Sequence, residues 1–82
     1  MKVFLLIHEW TVEGENNYEV VGAYLTIDHA TNALMEEFKQ TKDNPIMGEE
    51  WSYEEVNEYE DFAQLGNPNR SHRFFVIERE AQ

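Results

Sequence analysis

Three histidines, His8, His29 and His72, are the side chains best suited to metal or proton chemistry, in a chain that contains no cysteine. A zinc site wants its ligands at i, i+4 on a helix or on a short pair of loops. These three are scattered over the chain, and His72 sits between Arg70 and Arg73 as a small basic spot suited to nearby carboxylates. Neither serine nor any other nucleophile is placed with histidine and acid as acyl transfer requires. Calcium would need oxygen ligands at alternating loop positions followed by glycine. The acidic stretch Glu49 to Gly66, "EEWSYEEVNEYEDFAQLG", does not have that pattern. The chemistry-bearing residues therefore predict neither an enzyme nor a metal or cofactor site.

What they do offer is charge. Glu49, Glu50, Glu54, Glu55, Glu58, Glu60 and Asp61 fall in one segment with no Lys or Arg among them. Over the whole chain 17 acidic residues face 6 basic ones, a net charge of −11. Such a field repels phosphate backbones and anionic membrane surfaces, because binding to either depends on Lys and Arg. Direct nucleic-acid and membrane binding are disfavoured, whereas basic protein surfaces are attracted, mainly through association rate.

At 82 residues the chain, 1–82, makes one domain with one core. Packing must stabilise it without disulfides, and five Phe, four Tyr and two Trp help to supply the apolar surface. Each contributes roughly 1.5–3 kcal/mol when fully buried. The opening "MKVFLLIHEW" has one basic residue and a short apolar run, so it reads as a strand and not as a secretory signal. A cytoplasmic location is expected.

Lys2 to Trp10 places Phe4, Leu6, His8 and Trp10 on one strand face and Val3, Leu5 and Ile7 on the other. "EGENN" at Glu13 to Asn17 predicts a loop of several residues, followed by a second strand from Tyr18 to Leu25. Thr26 then caps a helix whose Ile27, Ala30, Leu34 and Phe38 recur at helical spacing, and Asp43-Asn44-Pro45 stops it. In "WSYEEV", Ser52 and Glu55 match a capping box, with Trp51 and Val56 as its hydrophobic staple. Gly66 and Pro68 supply stop signals, so a second helix is expected from about Tyr53 to Leu65. On it Glu54, Glu58 and Asp61 would form an acidic stripe opposite Val56, Tyr59 and Ala63. Arg73 to Glu80 closes the chain as a third strand. The expectation is an α+β fold, β-β-α-α-β, with two helices on one face of a small three-stranded, mainly antiparallel sheet.

"KVFLLIHEW", "VVGAYLTIDHATNAL" and "FFVIERE" together resemble small uncharacterised proteins of bacteria and their phages. In those, a KVFLL-type strand is followed by a strand ending in Gly and an aromatic, here Gly22 and Tyr24, then by a helix matched here by Thr26 and Ala30. The resemblance covers about the first 40 residues and the last ten. It implies a phage or mobile-element origin and no particular chemistry, because that group has no assigned activity.

The function expected from these readings is binding. Glu49, Glu50, Glu54, Glu55, Glu58, Glu60 and Asp61, with Tyr53 beside them, would imitate a phosphate backbone and occupy the basic groove of a host nucleic-acid-handling protein, as an anti-defence inhibitor such as an anti-CRISPR protein does. The alternative is a structural protein that forms a homodimer through an exposed sheet edge or an apolar helix face.

Overall fold

The computed structural model describes residues 1–44, 50–57 and 59–80. The chain runs β1 (Lys2–Val12), β2 (Glu15–Tyr24), α1 (Ile27–Asp43), β3 (Tyr53–Asn57), β4 (Phe62–Asn67) and β5 (Arg70–Glu80). All five strands form one sheet in the order β2-β1-β5-β4-β3, with every neighbouring pair antiparallel. Among the described residues one helix lies on this sheet, so the expected three-stranded sheet with two helices is incorrect.

The error lies in the segment from Tyr53 to Leu65, which is a hairpin and not a helix. Val56 pairs with Ala63 and Glu54 with Leu65 across β3 and β4. Ser52, the expected cap, donates through both its backbone N–H (2.8 Å) and its Oγ (3.2 Å) to the Gly66 carbonyl. Trp51 does not staple Val56; its Nε1 donates to the Lys42 carbonyl at 3.1 Å, tying the helix C-terminus to the hairpin. Ala63 and Leu65 are fully buried while Phe62 before them and Gln64 between them are not. That period of two is the strand pattern, and packing against the core outweighed the local helix signals. Gly66 likewise ends no helix and lies within β4, opposite Tyr53 and Ser71, while Pro68 serves a turn: Asn67 Oδ1 accepts from the N–H groups of Asn69 and Arg70, both at 2.9 Å, at the bend between β4 and β5.

Helix α1 forms as its sequence dictates. Thr26 Oγ1 accepts from the His29 N–H at 3.2 Å, Asp28 stands in the first turn, and Lys42 in the last. Asn44 closes the helix, its side-chain amide donating to the Gln40 carbonyl at 2.8 Å. Ala30, Leu34 and Phe38 are buried, whereas Ile27 remains partly exposed. The helix carries the chain across one sheet face from the β2 edge to the β3 edge. There it encloses the core: Leu6 of β1, Ala63 and Leu65 of β4, Phe74 of β5, and its own Leu34 and Phe38.

The turn between β1 and β2 is tighter than expected. Val12 pairs with Glu15, leaving Glu13 and Gly14 as a two-residue loop with φ of 51° and 85°. Positive φ at both positions is the type I′ arrangement, which follows the right-handed strand twist. No helix among the described residues is long and apolar enough to cross a membrane.

Candidate functional site: the open face of the sheet

Because antiparallel partners share a face, the register determines what lies opposite the helix. Leu5 pairs with Ile77, Ile7 with Phe75 and with Val20, and Phe75 with Phe62. Leu6, Phe74 and Ala63, their neighbours in sequence, point into the helix-covered core. The face that carries Leu5, Ile7, Val20, Phe62, Phe75 and Ile77 has nothing packed on it among the described residues. Ile7 is nonetheless only 7% exposed, shielded within the sheet surface, while Val20 at the β2 edge is 55% exposed.

Toward the turns at Glu13–Gly14 and Pro68–Asn69 this face becomes polar. A hollow of about 370 Å³ is lined there by Glu9, Thr11, Tyr18, Tyr53, Gln64 and Arg73, among others. Tyr18 belongs to β2 and Tyr53 to β3, so the two outermost strands border the same depression. Arg73 reaches Glu9 at 3.7 Å and lies 5.7 Å from the centre of the Phe62 ring. Gln64 donates to Glu55 at 3.1 Å.

The charges on this face are balanced. By register its ionic side chains among the described residues are Glu9, Glu55, Arg73 and Arg79, two of the 17 acids and two of the 6 bases. The molecule's large negative excess lies elsewhere. Both edges share in it: β2 carries Glu15 and Glu19, and β3 carries Glu54.

The proposed acidic stripe has no helix to hold it. Glu54 and Glu55 are consecutive in a strand and point to opposite faces; Glu54 meets Lys42 Nζ at 2.9 Å and raises its pKa through that hydrogen bond. Asp61 turns inward, its carboxylate accepting from Thr31 Oγ1 at 2.7 Å. Glu60 is exposed beside a turn in which Asn57 Oδ1 accepts from the N–H groups of Tyr59 and Glu60. Glu50 is exposed outside any element. Glu49 and Glu58 lie outside the described residues. Among the described residues, Tyr53 alone of the expected binding residues lines the hollow.

On the covered face the fold joins two histidines that are distant in sequence. His8 Nε2 and His72 Nδ1 are 2.9 Å apart, one donating and the other accepting. His8 stacks on Phe74 with ring centres 4.4 Å apart, and the Trp51 edge meets His72 at 5.6 Å. Burial lowers the pKa of His8, partly opposed by Glu19 at 3.7 Å. Burial, then the nearby His8 and Arg70, pushes His72 down to about 4. His72 is thus paired with imidazole and not, as expected, with a carboxylate. Among the described residues no group of three or more His, Asp or Glu could hold a metal ion. The signal for this pair was register: once β1 and β5 are aligned, His8 stands opposite Phe74 and Trp10 opposite His72.

No protein family, curated protein or solved structure matches the chain. The resemblance to small phage and bacterial proteins therefore rests on the quoted residues alone.

Proposed function

We propose that this protein is a non-catalytic binding module that engages another protein surface through the open face of its sheet. One observation carries the reading: a continuous apolar area with balanced charge occupies the face that no described element covers, in a molecule whose net charge is −11. Apolar patches rimmed by polar groups mark interaction surfaces. Here the rim is the hollow with Glu9, Arg73, Tyr18 and Tyr53. Nucleic-acid mimicry requires carboxylates ranged in a row, whereas Glu54 and Glu55 point to opposite faces of β3 and they and Asp61 each engage a different group, Lys42, Gln64 and Thr31. The overall negative field would still speed encounter with a basic protein, but that alone does not define a docking site.

Site-specific photo-crosslinking in cells that produce the full chain tests the reading. A photoactivatable phenylalanine analogue at Val20 is expected to capture a protein, whereas the same group at Glu36, exposed on the helix, captures none. Equal capture at both positions, or none from Val20, would overturn it.

A further inference from the structure

We infer that the occupant of the open face is a second copy of the same chain, packed sheet against sheet into a two-fold symmetric sandwich with the helices outermost. The inference rests on the reading of that face as a docking surface.

Electrostatics supplies the first argument. Two molecules of net charge −11 repel each other over most of their surfaces. The open face is the exception: Glu9 and Glu55 are matched there by Arg73 and Arg79, so two such faces meet without like-charge excess and with both signs available to each. A two-fold interface needs a self-complementary patch of this kind. A strongly basic partner would find no net counter-charge there.

Sheet geometry supplies the second. Association through strand addition would have to use β2 or β3, the outer strands. Glu15 and Glu19 on one edge and Glu54 and Glu55 on the other oppose pairing with a like edge. The homodimer expected through a sheet edge is thereby disfavoured, and the apolar helix face is already spent on the core. Aligned sheet packing, by contrast, interleaves β-branched and aromatic side chains across about 10 Å. Val20, Ile7 and Ile77 with Phe62 and Phe75 provide that mixture.

Sedimentation velocity of the purified full chain over a concentration series, near physiological ionic strength, tests this. A concentration-dependent monomer–dimer equilibrium is expected, with Ile77→Glu and Val20→Glu each raising the dissociation constant by about tenfold or more because a carboxylate would be buried without a partner. Glu36→Gln should leave it unchanged. Should either substitution damage the fold, as circular dichroism would reveal, the unmodified protein still decides. A soluble paramagnetic probe should broaden the Leu5, Val20 and Ile77 methyl resonances less as concentration rises. A monomer at every concentration overturns self-pairing, and if Val20 then crosslinks to a different protein the docking reading survives without it. A dimer that Ile77→Glu and Val20→Glu leave intact, with methyls equally broadened throughout, overturns the assignment to this face.

Discussion

His8 and His72 illustrate how a residue with nothing notable around it in sequence acquires a distinct environment through folding. Their 2.9 Å contact needs one ring nitrogen as acceptor, so the pair cannot be doubly protonated and remain bonded. The unfolded chain takes up protons at these sites near the ordinary value of 6.5, whereas folded His72 stays neutral down to about 4. Its contribution to stability is therefore complete above about pH 6.5 and drains away as the pH falls toward about 4, the unfolded state binding more protons throughout that window. The thermal midpoint should fall over this range, and His72→Gln should flatten that part of the profile relative to the unmodified protein. Identical slopes in the two proteins would show that the imidazoles are not responsible.

At the scale of elements, the turn between β1 and β2 holds a non-glycine residue, Glu13, at φ 51°. The left-handed conformation costs an ordinary side chain about 1–2 kcal/mol, and asparagine is among the few residues that tolerate it. Glu13→Asn should raise stability by about 0.5–1 kcal/mol in a urea titration with unchanged slope; a lower midpoint would contradict the turn geometry. At this turn the sequence signal is right in kind and wrong in length, a two-residue loop standing where one of several residues was expected. Local signals with one physical meaning were legible: Thr26, Ala30, Leu34, Phe38 and Asn44 marked α1 within a residue, and β1, β2 and β5 were recognised with short ends. Ser52, Glu55 and Gly66 carried helix signals that pairing with β4 and β5 overrode, because Ala63 and Leu65 bury completely only at strand spacing. A tight turn at Pro68–Asn69 between "FAQLG" and "SHRFFVI" was the hairpin cue in that segment. The open face was not legible in the same way, since its membership depends on which strands are neighbours. The apolar residues of Val3 to Ile7 suit a strand covered on both sides, and sequence alone does not reveal what provides the second cover.

For the whole molecule, ion pairing does little to offset the net charge. Lys2–Glu78, Lys42–Glu54 and Arg73–Glu9 are exposed, and 6 bases are too few to neutralise 17 acids. Screening should therefore relieve more repulsion than it removes attraction. Raising ionic strength from about 10 mM to about 150 mM, where the Debye length drops to about 8 Å, is expected to lift the thermal midpoint by several degrees. A midpoint that declines over that range would mean that attractive pairs dominate the electrostatics. The same screening should strengthen self-association through the charge-balanced face, because it relieves the repulsion between the rest of the two molecules, whereas binding by phosphate mimicry would weaken steeply with salt.

The longest pairing in the sheet joins β1 to β5, in register from Lys2↔Glu80 to Val12↔Arg70. The middle strand of the sheet is thus the last one to be synthesised, and Phe74, which completes the core against Leu34 and Phe38, arrives with it. During translation the earlier strands must wait, unable to close around the helix, until β5 has left the ribosome. Long-range closure of this kind slows folding, and a chain halted before Arg70 would keep its apolar interior open to chaperones and proteases.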